Sequence, residues 1–311
     1  MKRFGRWLLV SLAYLVYTLG VVVVLLWILF PADGVLVWLQ GKLQNAYPGL
    51  AWNINRVEKE FPLGITFADV GVYEKNDQEN PLILFNEMRI SPAVEGMLKL
   101  KKQVPVAYRL KTPEGTIEGE LSLPGKGLPA QCSGEIRNIE LGMFEEIWKK
   151  INRTASGSMS GTFQYSGFWQ DPLHGELQAS VEVRDGEIGL QQGIFGLEQI
   201  DFHLMSASVN LKDRIFSLDS GMMESRLFTA NYEGSLQFAD NLYTSALNIQ
   251  GLMEPRSELL GGMNNTAASL IRSQLQNNKL SFVINGTLFE PGIIFRGASG
   301  IIDGIIESGG R

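Results

Sequence analysis

The sequence predicts a mostly β chain in which one N-terminal transmembrane helix is followed by an extended, twisted antiparallel β-sheet domain with a few amphipathic helices. Three observations predict it. Residues 7–32 contain no charged side chain and are dominated by Leu, Val, Ile, Phe, Trp and Tyr, a run longer than the ~20 residues a helix needs to cross the hydrocarbon core. Beyond Trp52, apolar and polar residues alternate with period two, as half-buried strands do. Turn signals such as Asp185-Gly186, Asp240-Asn241 and Pro124-Gly125 interrupt that alternation closely enough to favour hairpins over parallel units with crossover helices.

The apolar run comes first in the chain. Lys2, Arg3 and Arg6 precede it and Asp33 is the first charge after it, so the positive-inside bias predicts a cytoplasmic segment 1–6, a transmembrane anchor 7–32 and export of everything downstream. Trp7 and Trp27 sit near its opposite ends, as interfacial anchors do. A cleaved signal peptide would have a shorter apolar region and a small-x-small site, which Phe30-Pro31-Ala32-Asp33 does not supply. Cys132 is the single cysteine, so core burial rather than internal cross-links must hold the exported domain together. A bacterial inner membrane with the main domain in the periplasm fits this composition, and the sequons at Asn152, Asn264 and Asn285 are then chance matches.

After the anchor, Leu36, Leu39, Leu43 and Tyr47 recur at helical spacing and Pro48-Gly49 ends the pattern. This predicts a membrane-proximal amphipathic connector over residues 33–49, with a periplasmic β-rich domain over 50–311. Ile65 and Phe67, then Val70 and Val72, open the alternation, and Leu82 to Ile90 reads as the next strand. Leu177, Ala179, Val181 and Val183 oppose Gln178, Ser180, Glu182 and Arg184; Phe228, Ala230, Tyr232, Leu236 and Phe238 oppose Thr229, Asn231, Glu233, Ser235 and Gln237. Two stripes at helical spacing interrupt the strands: Phe144, Ile147, Trp148 and Ile151, and a longer one of Leu259, Leu260, Met263, Ala267, Leu270 and Ile271. Each is expected to cover an apolar sheet surface or close one end of it. Gly115, Gly119, Gly157, Gly161, Gly234 and Gly286 recur in short Gly-Ser/Thr contexts at irregular spacing, which suggests bulges and curvature in a sheet rather than a solenoid.

Chemistry is sparse. The formal net charge is −6 and three of the 27 basic residues lie ahead of the anchor, so the exported part is acidic and no nucleic-acid partner is expected. Only His174 and His203 could serve as a general base or metal ligand. His203 shares a strand face with Asp201, opposite Ile200 and Phe202, and His174 follows Asp171-Pro172 in a turn-like stretch. Gly157-Ser-Met-Ser-Gly161 has Met where a nucleophile elbow needs Ser. Gly119 to Gly127 misses the spacing and hydroxyl of a phosphate loop, and Gly297-Ala-Ser-Gly300 lacks the third glycine of a dinucleotide fingerprint. Lys99, Lys101 and Lys102 read as a solvated basic patch. No catalytic residue, metal site or cofactor is assigned, the chain reads as no enzyme, and binding or scaffolding is the class left, with a periplasmic hydrolase a distant alternative.

Phe61-Pro-Leu-Gly-Ile-Thr-Phe-Ala-Asp-Val-Gly-Val72 followed by Leu82 to Pro92, and the late strand Ile284-Asn-Gly-Thr-Leu-Phe-Glu-Pro291, resemble the corresponding parts of AsmA-like periplasmic proteins. Together with the single anchor, the length and the run Leu141 to Gly167, they resemble the longer form of the GspN family of type II secretion proteins. The resemblance implies an accessory inner-membrane component that docks other secretion-system proteins through its periplasmic β-rich domain. The AsmA-like features imply the alternative, binding or transfer of lipid through a hydrophobic groove. For that groove the candidate residues are Phe228, Tyr232, Leu236 and Phe238. Periodicity leaves open whether their face closes against a second sheet or lines an open trough.

Overall fold

The computed structural model describes residues 31–60, 64–93, 105–122, 129–168, 171–263 and 265–295, with scattered positions between 14 and 29. The predicted anchor over 7–32 falls largely outside these residues, as do Pro124-Gly125, Lys99, Lys101, Lys102 and Gly297 to Gly300. Among the described residues no helix is long and apolar enough to cross a membrane. The chain is mostly β and divides into two compact units, Met1–Pro113 and Glu114–Arg311.

The first unit holds helix α1 (Ala32–Ala46) and strands β1 (Leu50–Glu60), β2 (Gly64–Glu74), β3 (Asp77–Pro92) and β4 (Pro105–Lys111), each antiparallel to the next. The connector is therefore helical, ending where the Tyr47 N–H donates to the Leu43 carbonyl at 2.9 Å. The sequence shifts phase between Phe67 and Val70, and so do both neighbouring strands. Ile54 pairs with Val70 and Val70 with Phe85; Val57 pairs with Phe67 and Phe67 with Met88. Three adjacent strands thus carry core residues three apart at one level of the sheet, where Asp69 takes a φ of 52°. A strict period of two would send one member of each pair to the other face; the left-handed kink at Asp69 returns both to the core. Leu36 and Leu39 of α1 pack on this cluster of Ile54, Phe67 and Val70.

The second unit is a ten-strand meander: β5 (Thr116–Ser122), β6 (Ala130–Glu140), β7 (Ala155–Phe168), β8 (Asp171–Ile194), β9 (Leu197–Lys212), β10 (Ile215–Glu224), β11 (Phe228–Gln237), β12 (Ala246–Pro255), β13 (Leu280–Thr287) and β14 (Pro291–Phe295). Every strand pairs antiparallel with its successor. The alternation read from the sequence holds: Leu177, Ala179 and Val181 are half-buried and Val183 is buried, while Gln178, Ser180 and Arg184 are exposed. Cys132 lies in β6 opposite Leu121 and Tyr165 and forms no disulfide.

Three local expectations are corrected. Asp185-Gly186 is no hairpin turn but a bulge inside the 24-residue β8: Ser156 pairs with Glu187 and Ser158 with Arg184, so β8 carries one residue more than β7 there. Asp185 has a φ of 48° and Gly157, facing the bulge, a φ of 118°; a Cβ on Gly157 would lie 2.8 Å from the Gly186 Cα. Asp-Gly serves a bulge as well as a turn, because both need a residue tolerant of positive φ. His174 stands within β8, not in a turn. The long stripe from Leu259 to Ile271 is two helices, α3 (Ser257–Gly261) and α4 (Asn265–Gln274), broken after Gly261. The shorter stripe is a 3-10 turn over Leu141–Phe144 leading into α2 (Glu145–Lys150). Both stripes cover sheet surface as expected. Leu259 joins the core with Phe228, Met253 and Leu280, and Trp148 packs on Leu141, Val183 and Phe202 while its Nε1 donates to the Leu141 carbonyl at 2.8 Å. The Asp240-Asn241 signal does fall in the β11–β12 connection.

Candidate functional site

Register places side chains of the second unit in rows that cross the strands. One row runs Ile139, Met159, Val183, Met205, Met223, Ala230, Met253 and Leu280 from β6 to β13. Four of its eight members are methionines, whose unbranched, polarizable chains adapt to irregular neighbours. The next row runs Gly161, Val181, Ala207, Gly221, Tyr232, Gly251, Phe282 and Phe295 from β7 to β14. Glycines alternate with rings over its four members Gly221, Tyr232, Gly251 and Phe282. A Cβ on Gly221 would meet Tyr232 Cε2 at 2.1 Å, and one on Gly251 would meet Phe282 Cζ at 2.5 Å. The aromatic rings therefore lie flat over glycines of the neighbouring strand, which keeps the floor of this face low.

The tip of the β8–β9 hairpin completes the site. Ile194 pairs with Leu197 around a two-residue turn, Phe195-Gly196, with φ values of 54° and 79°. The Phe195 ring meets Phe295 of β14 at a centroid distance of 4.7 Å, and Phe295 lies 6.2 Å from Phe282. Between hairpin tip and sheet is a groove of about 270 Å³, walled by Ile194, Phe195, Leu197 and Ile200 and floored by Met205, Met223, Phe228, Tyr232, Ile249, Met253, Phe282 and Ile284 among others. Among the described residues no charged side chain lines it. Its one phenol, Tyr232, is pushed up to about 12 by burial, so it stays neutral over the physiological range.

Of the four residues proposed from the sequence, Phe228 and Tyr232 line this groove and Leu236 and Phe238 do not. Leu236 shares the face but sits further along β11, between Phe216 and Leu247. Phe238 lies past the end of β11, its N–H donating to the Arg214 carbonyl and its own carbonyl accepting from Arg214 Nε at 3.2 Å. The hairpin tip was missed because its meeting with β14 is a long-range contact; the one local signal was an apolar Ile194-Phe195-Gly196-Leu197 in a connecting position.

On the opposite face a shallower depression of about 400 Å³ is lined by Asp219, Asn231, Glu233 and Gln250, with Gln250 Nε2 donating to Glu233 Oε1 at 3.0 Å. His203 is exposed on that face, 3.6 Å from Asp185, and His174 is exposed with Nδ1 at 2.7 Å from Asp171, whose carboxyl this hydrogen bond lowers. Among the described residues no group of three His, Cys, Asp or Glu side chains could hold a metal ion. The second unit is thus an antiparallel β meander with an apolar groove under a hairpin tip. No family model, no curated protein and no solved structure matches the chain.

Proposed function

We propose that this chain is a membrane-anchored protein that binds the acyl portion of a lipid in the groove between the β8–β9 hairpin tip and β10–β14. The observation that carries the reading is the lining: apolar and partly methionine, with no charge among the described residues to recognise an ionic headgroup. An apolar pocket with few polar groups suits a hydrocarbon tail whose head remains in water. The anchor belongs to the same proposal. Positions described between Tyr14 and Leu25 are helical, and Tyr14, Leu15, Tyr17, Val22 and Leu25 expose apolar side chains, as a helix facing lipid does. We place the protein in a bacterial inner membrane with the N-terminus in the cytoplasm and the β-sheet units in the periplasm.

The direct test is native mass spectrometry of the full chain released from membranes. Lipid bound to the wild type and absent from Phe282→Glu supports the reading, and a lipid-free wild type sinks it. A reporter fused at Arg311 that works only in the cytoplasm would overturn the topology. A second reading, an accessory docking component of the type II secretion system, is favoured by the resemblance carried by residues 61–72, 82–92, 141–167 and 284–291. Its test is in-cell cross-linking: capture of secretion-system proteins supports it, and normal export of folded proteins in a deletion strain counts against it.

A further inference from the structure

We propose that the distal part of the β8–β9 hairpin, from Gly189 to Gln199, is a lid that swings about Gly189 and opens the groove to a lipid tail; the inference rests on the lipid reading only for what the lid admits. The base of the hairpin is fixed on both edges. β7 pairs with β8 as far as Ala155 opposite Ile188, and β10 pairs with β9 as far as Glu224 opposite Leu204. The next ties on the β7 side hold Gly189 itself: its N–H donates to the Thr154 carbonyl at 2.9 Å and its carbonyl accepts from Arg153 Nη1 at 3.5 Å. At this point the hairpin's own ladder also breaks, because Gly189 pairs with Gln199 and Ile194 with Leu197, with a register shift between the two pairs. Beyond it, among the described residues, the two strands run without a third, and an isolated two-stranded hairpin is marginally stable in water. A register break beside a glycine is where a few residues can absorb the change in φ and ψ that a hinge needs. The outer end is held by apolar side chains: Ile194, Phe195 and Leu197 pack on the cluster that contains Phe228, Met253, Phe282 and Phe295. Those residues are also the walls and floor of the groove. A tail that enters must part the contacts that close the lid, and once seated it offers the lid new ones, so binding favours the closed hairpin.

Hydrogen exchange and cross-linking of the full chain in detergent test this, with a phosphatidylglycerol carrying one pyrene-labelled acyl chain as the probe. Before the probe is added, amides of residues 190–198 should exchange at least about tenfold faster than those of residues 177–184, and bound probe should slow them. In a Cys132→Ser background, Phe195→Cys and Phe295→Cys are bridged with dibromobimane. Bridging before the probe is added should block its uptake. Bridging after loading should slow its release at least about tenfold relative to the same variant unbridged, and retention in that arm shows that the bridge does not itself fill the groove. Equal protection of residues 190–198 and 177–184, or uptake and release unchanged by bridging, overturns the lid; probe bound by the wild type in either case leaves the lipid reading standing. Fast exchange of residues 190–198 in a wild type that takes up no probe sinks the lipid reading and leaves the lid. If the unbridged variant takes up no probe, the exchange measurement on the wild type decides.

Discussion

The ring of Tyr232 lies over Gly221, its register partner on β10, so closely that a Cβ at Gly221 would come within 2.1 Å of Cε2. Phe282 covers Gly251 in the same row. Flat rings over cross-strand glycines bury aromatic area without filling the space above the sheet, a recognised way of stabilising glycine in strands. Gly221→Ala removes the option: the ring must stand up into the groove or the strands must part. We expect a loss of about 1–3 kcal/mol, as for overpacking elsewhere, measured by denaturant unfolding, together with less co-purifying lipid. Unchanged stability would mean that the ring is not held flat by the glycine.

Charge substitutions separate groove from core. Leu280 is fully buried, in the cluster with Phe228 and Met253, whereas Ile284 is half-buried and lines the groove four residues further along β13. Leu280→Glu buries an unpaired carboxylate and should unfold the second unit, a loss on the order of 4 kcal/mol or more. Ile284→Glu can turn its carboxylate to the open side, and should keep near-native circular dichroism while losing bound lipid. If both variants unfold alike, the groove is closed core.

Much of the fold was legible because local chemistry decided it. Leu177 to Val183 and Phe228 to Tyr232 alternate without exception, and a half-exposed sheet leaves the two sides of each strand in different solvents. Trp148 and Leu259 announced covering helices by spacing alone. What escaped the sequence depends on distant partners or on ambiguous residues. Asp185-Gly186 suits a turn and a bulge equally, and the 24-residue β8 runs through it because β7 and β9 both keep pairing beyond it. Leu236 obeys the same period as Tyr232, but where along a face the groove lies is fixed by Phe195 meeting Phe295, exactly one hundred residues later in the chain, which no local pattern encodes.

Alkaline pH provides a probe of Tyr232. Its phenol titrates near 10.0 when unperturbed and is pushed up to about 12 by burial. Below pH 10 folded and unfolded chains both hold the proton, so the stability ascribable to this group is intact. Between the unfolded and folded values only the unfolded chain ionises, and stability falls as pH rises through that window. The limiting loss is roughly 2–3 kcal/mol at 1.36 kcal/mol per unit. Melting temperature should therefore drop more steeply from pH 10 to 12 in the wild type than in Tyr232→Phe, and identical slopes would show that Tyr232 is not buried.

Phe195 combines a backbone cost with a packing gain that two substitutions can separate. Its φ of 54° lies in the left-handed region, which costs a residue with a Cβ about 1–2 kcal/mol relative to glycine. Its ring touches Phe295, and an aromatic pair contributes about 0.5–1.5 kcal/mol beyond burial. Phe195→Ala keeps the strained backbone and loses the ring, whereas Phe195→Gly loses the ring and relieves the strain. The glycine variant should therefore be the more stable of the two by about 1 kcal/mol, less the extra chain entropy glycine brings to the unfolded state. Both variants open the same end of the groove, so both should release bound lipid faster than the wild type by a similar factor. Equal stability would remove the backbone argument, and release rates that follow stability instead of the missing ring would show that the hairpin tip does not close the groove.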